Sequence, residues 1–313
     1  MARISLQSPP SFLSTPLNGW DGGTIVAGQK THTLRLRVTP SHTPIVYVHG
    51  IMATVDFWPL TLPEELRNYG GCSISLPNHS TRWVCGRDGS TDAAASAPDS
   101  TPVTPDDFSR PIIQVIDEIY GGRPVRLVGW STGGFAVLHA AAKYPEKVES
   151  VLSICGFARG KWAGGLGFFQ WLAARAWSRW GLTHGFRLTR IRPQLFDNFM
   201  MPMCSVKKGS DIRSRAKASG LSLGMKTHDL DRLTETMGQI RAFDISSSLE
   251  SIRCPVQILG GDRDPVIPYS ETQRLAQLIP QARLETLQGC GHLYFAEAPV
   301  ESSECMARWL LNR

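Results

Sequence analysis

With 313 residues, the chain is long enough for one large hydrophobic core or for one core carrying an insertion, and its 42% hydrophobic and 19% charged residues exclude a disordered or fibrous class. The net charge of +6 reads as mostly dispersed: the densest basic stretch, Lys207, Lys208, Arg213, Arg215 and Lys217, is diluted by Asp211 and has no rings to stack on bases, so no nucleic-acid partner is expected. Seven cysteines without a CxxC pair point to neither a disulfide framework nor a metal site, and neither a signal-peptide core nor a membrane-length apolar run is present, so a soluble cytoplasmic protein is expected.

In chain order, apolar β-rich runs predict strands at Thr33–Val38, Ile45–Val48, Cys72–Leu76, Val125–Val128, Val148–Ile154, Val256–Leu259 and Ala282–Leu287. Most are continuous in Val, Ile and Leu, the composition of strands covered on both faces. Helical patterns fall between them, at Leu60–Tyr69, from Pro105 to about Gly121, and at Gly134–Tyr144, Ser270–Ile279 and Val300–Leu311. In the second of these, Phe108, Ile112, Val115, Ile116 and Ile119 share one face, Thr104 is a suitable N-cap, and Pro105 stands at the first helical position. This alternation predicts an α/β class with a mainly parallel sheet flanked by helices.

Two stretches break the rhythm. Residues 86–103 are small, polar and proline-containing and read as a mobile surface loop. Residues 156–245 separate two strands by far more than one crossover helix needs, which predicts a core of 1–155 with 246–313 and an inserted helical cap over 156–245.

The chemistry is concentrated in short motifs. Strand Val125–Val128 runs into Gly129-Trp130-Ser131-Thr132-Gly133 and then a helix, so Ser131 sits on a sharp turn whose neighbours two residues away must be small. The helix start beside it favours developing negative charge. A serine hydroxyl needs a base, and the base needs a carboxylate to orient it. Gly289-Cys290-Gly291-His292 follows the last strand, and Gly260-Gly261-Asp262-Arg263-Asp264-Pro265-Val266-Ile267-Pro268 follows the strand before it. Ser131, His292 and one of the two aspartates therefore form a candidate catalytic set.

Together with His49-Gly50 at a strand end, these motifs resemble the α/β-hydrolase superfamily, and the order Ser, Asp, His is that of its general template. The resemblance implies Asp264 as the acid by its spacing to Gly261 and Pro268, with Asp262 as the fallback. It also implies the backbone amides of Ile51 and Thr132 as the oxyanion hole, with Met52 in place of Ile51 if the loop turns one residue later. An alternative acid position after strand Val148–Ile154 reads Cys155-Gly156-Phe157-Ala158-Arg159 and holds no carboxylate. His49 is expected to fix the oxyanion loop and His139 to pack in its helix. His79 falls in a loop, Leu76-Pro77-Asn78-His79-Ser80, that departs from a glycine-rich pattern common among relatives.

Within the insertion, Trp162, Phe168, Phe169, Trp171, Trp177, Trp180 and Phe186 are interleaved with Arg175, Arg179 and Arg187, an amphipathic helical pattern. Trp130, Trp162, Phe168 and Trp171 are candidates to line an apolar acyl or alcohol pocket; the competing reading is that such rings attach the cap to the core. The expected activity is cleavage of a small-molecule carboxylic ester or lactone through a Ser131 acyl-enzyme, without a cofactor. The same residues would serve a thioesterase or acyltransferase, and a ligand receptor that retains the three residues is the reading from another class. The sequence does not set an oligomeric state.

Overall fold

The protein is described by a computed structural model covering residues 20–27, 30–37, 43–67, 69–79, 82–85, 90–93, 101–205 and 210–311. The apolar runs build ten strands: β1 Asp21–Ala27, β2 Lys30–Arg37, β3 Ile45–Val48, β4 Gly71–Ile74, β5 Arg82–Cys85, β6 Ser90–Ala93, β7 Val125–Trp130, β8 Val148–Ile154, β9 Val256–Gly261 and β10 Ala282–Leu287. Eight of them form one sheet in the order β1-β2-β4-β3-β7-β8-β9-β10. From β4 to β10 every pairing is parallel, while β1 and β2 pair antiparallel with each other and β2 antiparallel with β4. Every residue of β3 and β4 is buried, as a central strand covered on both faces requires.

Thirteen α-helices are present among the described residues: α1 Phe57–Thr61, α2 Glu64–Arg67, α3 Pro105–Tyr120, α4 Thr132–Lys143, α5 Gly164–Ala173, α6 Ala176–Ile191, α7 Pro193–Met200, α8 Ser210–Ala218, α9 Leu221–Thr227, α10 Leu230–Ile240, α11 Tyr269–Leu278, α12 Tyr294–Glu297 and α13 Pro299–Leu311. The expected caps of α3 are in place. The Asp107 carboxylate accepts the Thr104 backbone amide at 2.8 Å, and Gly121 closes the helix in the left-handed region at φ 64°. Pro111 sits within α3 without ending it. Six helices, α5 to α10, lie between β8 and β9, within the stretch read as inserted.

Two expectations are corrected, and one strand, β1, has no counterpart in the sequence reading. The single helix expected over Leu60–Tyr69 is two short ones, α1 and α2, because Pro63 holds Leu62 extended at φ −61°, ψ 133°. Strand β1 carries two glycines and no clean alternation, and it is set by pairing with β2, which local pattern does not reveal. Within the presumed loop, Ser90–Ala93 pairs with Arg82–Cys85 as a small hairpin, while 86–89 and 94–100 lie outside the described residues, as does Ser80.

One buried ion pair ties the antiparallel edge to the centre. Arg35 on β2 donates from Nε to Asp56 Oδ1 at 2.7 Å just before α1, with both side chains less than a tenth exposed. Removing one partner leaves a charge buried without its counter-ion. Asp56→Ala is therefore expected to lower unfolding free energy by about 3–5 kcal/mol, measured by urea denaturation followed by circular dichroism. A loss within 1 kcal/mol would mean that the site lets water reach Arg35.

Candidate active site

The carboxyl edge of the sheet gathers the motif residues. Ser131 follows β7 at φ 55°, ψ −116°, a conformation that side-chain-bearing residues rarely adopt. Its neighbours make the turn possible. A Cβ on Gly129 would stand 2.2 Å from the Gly133 carbonyl oxygen, and one on Gly133 would stand 2.1 Å from that of Val48 on β3. The Ser131 amide donates to the Ile154 carbonyl at 2.8 Å, anchoring the strained residue to β8.

Asp264 follows β9, and His292 lies in the loop after β10. The His292 Nδ1–H donates to Asp264 Oδ2 at 2.7 Å, and the Ser131 hydroxyl donates to His292 Nε2 at 2.9 Å. All three residues are buried. Asp264 Oδ1 accepts the amides of Val266 and Ile267 at 2.7 and 3.0 Å, which holds the carboxylate so that its other oxygen faces the imidazole. Asp262 has a different place: its Oδ1 accepts the Gly289 amide at 2.6 Å and so fixes the turn leading to His292. The two aspartates of one motif thus hold the ring itself and the loop that carries it.

Cys155 occupies the alternative acid position at φ 48°, buried beside Asp264. Its sulfur and the ligand atoms of Asp264 and His292 lie within 4.8 Å of one another, a spacing that invites a metal. The donor chemistry argues otherwise. Burial, reinforced by the Asp264 charge, pushes the Cys155 thiol well above its ordinary range, away from the thiolate a metal needs. Meanwhile Asp264 and His292 already engage each other.

The loop after His49-Gly50 is held by histidines. The Met52 amide donates to His79 Nε2 at 3.3 Å, and the Met52 carbonyl accepts from His228 Nε2 at 3.1 Å. Met52 itself stands at φ 69°. The Met52 amide is thus committed to His79, while the Thr132 amide is the first of α4 and has no acceptor within the helix. His49 donates to the Gly50 carbonyl at 2.8 Å and accepts the Leu76 amide at 3.4 Å. His139 stacks on Phe135 and bonds Ser109, a packed helix residue.

The four rings expected to line a pocket are dispersed. Trp130 is a wedge: it stacks on Phe57 with centroids 4.7 Å apart, meets the backbone at Gly50, and donates from Nε1 to the His292 carbonyl at 3.3 Å. Trp162 is buried against Phe157. The pocket assignment is corrected for Phe168, which is 57% exposed: α5 turns Leu166, Gln170 and Ala173 inward, and its 3.6-residue period puts Phe168 on the opposite side. Trp171 stacks beside Phe168 and lies beneath the Arg175 guanidinium, 3.7 Å from the ring centre.

Sequence reasoning missed three residues that hold the site. His228, in the insertion, carries no local motif. Glu297 Oε2 accepts the amides of Ser205 and Gly291 at 2.8 and 3.1 Å, joining the insertion to the His292 loop. Cys155 was noticed only as the absence of a carboxylate.

The sequence model of the alpha/beta hydrolase family matches residues 45–303. Human monoacylglycerol lipase ABHD6 is 23% identical over 280 residues, 88% of this chain and 78% of that protein. A pimeloyl-[acyl-carrier protein] methyl ester esterase of Nitrosomonas europaea is 21% identical over 285 residues, 87% of this chain and 98% of that protein. Among solved structures, a thermophilic esterase from Thermogutta terrifontis superposes with a TM-score of 0.67 at 18% identity, covering 93% of this chain and 98% of that one.

The histidine array predicts a pH dependence of stability. Burial lowers His49 to about 3 and His228 to about 4, and it lowers His79 well below its ordinary value, with the neighbouring histidines adding repulsion. In the unfolded chain each would bind a proton near pH 6.5, so the unfolded state gains protons first as pH falls. Stability is therefore fully present above about pH 6.5 and declines toward pH 4, with a slope of at most about 1.4 kcal/mol per pH unit for each histidine. His228→Asn should flatten this decline in urea titrations between pH 7 and 5; superimposable slopes for variant and parent would refute it.

Proposed function

The chain belongs to the alpha/beta hydrolase family, and from that premise we propose that it is a serine hydrolase of carboxylic esters. The observation that carries this reading is the continuous hydrogen-bonded line from Asp264 through His292 to Ser131. As Ser131 Oγ forms a bond to the ester carbonyl carbon, its proton passes to His292 Nε2. Asp264 holds the ring and stabilises the imidazolium that results. The Ile51 and Thr132 amides take the negative charge on the carbonyl oxygen, where one such donor is worth about 2.7–4 kcal/mol of barrier. Collapse breaks the bond to the leaving oxygen, which takes the proton from His292. Water then repeats the sequence on the acyl-enzyme, releasing the acid and restoring Ser131.

An oxygen ester is the favoured substrate because the relatives include proteins named as a monoacylglycerol lipase and a methyl ester esterase. The helical stretch within 156–245 acts in this reading as a cap. Its Met203 carbonyl accepts the His292 amide at 2.9 Å, and the Ala163 amide donates to the Val266 carbonyl at 2.9 Å beside Asp264. These bonds set it over the loops that carry the base and the acid.

Ser131→Ala should remove both ester turnover and labelling by a fluorophosphonate probe; retention of either would sink the mechanism. Asp264→Asn should lower kcat by about 10⁴-fold, the scale on which a triad responds to loss of its acid. Asp262→Asn keeps an oxygen to accept the Gly289 amide and should stay within about tenfold of the parent. Reversed sensitivities would move the acid to Asp262. Matched oxygen and thiol esters, assayed with and without an added alcohol acceptor, rank hydrolysis against thioester cleavage and acyl transfer.

A further inference from the structure

The outward face of α6 is unusual for a helix packed on a protein. Leu182, Thr183, Phe186 and Thr189 face inward and are buried. On the opposite side, Trp177, Trp180, His184, Leu188 and Ile191 recur at helical spacing, and the four apolar ones are 75%, 71%, 55% and 79% exposed. The stripe continues onto α5, because the Trp177 ring meets Trp171, which stacks on the exposed Phe168. An apolar surface of this kind, spread over two helices, calls for something to cover it.

The charge around it states what that partner must be. The chain has 33 Lys and Arg against 27 Asp and Glu, yet residues 161–196 hold six basic residues and no acidic one. The remainder sums to zero, so this one stretch, which builds α5, α6 and the start of α7, carries a charge equal to the net charge of the whole chain, next to the second basic stretch at Lys207–Lys217. Arg179 and Arg187 pair with Glu235 and Asp231 on α10 in solvent-accessible contacts, and Arg190 turns to the Met225 and His228 carbonyls, while Arg175, over the Trp171 ring, has no carboxylate partner among the described residues. Arg192 stands exposed just beyond Ile191.

We propose that this face docks the protein on an anionic lipid surface. Tryptophan, with an apolar ring and one polar N–H, suits the boundary between headgroups and acyl chains, and a helix with exposed Trp, Leu and Ile beside arginines is the pattern of an interfacial helix. The cations complement the lipid phosphates. A second copy of the chain fits less well, because an isologous contact would set the same cationic stretch against itself. The proposal concerns residence at a surface and does not require a membrane span: among the described residues no helix is long and apolar enough to cross a bilayer.

The test is co-sedimentation of the full chain with phosphatidylcholine vesicles containing 0 or about 30 mol% phosphatidylglycerol, at low and high salt, beside sedimentation equilibrium without lipid. Binding at least about tenfold tighter to the anionic vesicles, weakened by salt, is expected. The doubly substituted Trp177→Ser, Ile191→Ser chain should lose that binding, and Arg187→Glu with Arg192→Glu should lose the preference for anionic lipid. All four positions are exposed, so circular dichroism should be unchanged and the melting temperature should fall by no more than loss of the exposed Arg187–Asp231 pair accounts for, and the readout is independent of ester turnover. Equal binding to both vesicle types overturns the proposal. So does binding unaffected by the serine substitutions. A dimer that the serine substitutions dissociate, without vesicle binding, would assign the face to a second copy instead.

Discussion

Everything at the carboxyl edge of the sheet depends on how closely the turn between β7 and α4 approaches β3. The Gly133 Cα lies so near the Val48 carbonyl that a single added carbon would overlap it, and Gly129 faces Gly133 in the same way. That contact leaves Ser131 no relaxed conformation, and the residue is kept at positive φ by its amide bond to Ile154. The same edge is stitched onward, since the Cys155 amide donates to the Leu259 carbonyl at 2.7 Å. Strands β7, β8 and β9 thus end in register, and the loops that leave them emerge with the serine, the thiol and the carboxylate already converging.

A second set of constraints keeps the loop after His49 in shape, and it works only while His49 and His79, whose rings accept backbone amides, are neutral. Met52 is held through both its amide and its carbonyl, the first by a ring nitrogen that must accept and the second by one that must donate. A neutral imidazole offers one of each, whereas a protonated ring at His79 would turn its acceptor into a donor facing a donor. Burial enforces the neutral form, so the geometry of this loop and the depressed basicity of its histidines have one cause. Asn78, at φ 58° in the loop that departs from the glycine-rich pattern, adds a bond from Nδ2 to Thr236 Oγ1 at 2.9 Å, so the unusual loop gains a contact with the insertion that glycine could not make.

The parallel core was legible in sequence because its determinants are local: continuous Val and Ile runs, a capped amphipathic helix, and glycines at fixed offsets from Ser131. The choice of Asp264 over Asp262 comes from the family resemblance, and Asp264 is the one of the two whose carboxylate meets His292. The antiparallel strand β1 was not, because its shape is set by partners and not by its own pattern. Nor could spacing reveal His228 or Glu297, whose contacts cross 176 and 92 residues of chain. The aromatic residues of the insertion were visible as a group, but their facing was not. Trp162 and Phe168 have the same apolar character, yet Trp162, in the segment before α5, is buried against Phe157, while the phase of α5 turns Phe168 to solvent.

The stretch 156–245 is joined to the loops around Ser131 and His292 by hydrogen bonds to their backbone, one from its own backbone and others from side chains. The Met203 carbonyl takes the His292 amide, His228 takes the Met52 carbonyl, and Glu297 clamps Ser205 to Gly291. Buried bonds of this kind are costly to leave unmade. The stretch 156–245 therefore cannot swing away as one rigid body without breaking the supports of both the His292 loop and the loop after His49. Helix α6 is tied into the same set, since Arg190 donates from Nε to the Met225 carbonyl at 3.0 Å and from a terminal guanidinium nitrogen to the His228 carbonyl. The exposed rings of α6 and the loop after His49 thus share one support: the rings point away from it, while Arg190 on the same helix holds the backbone that carries His228.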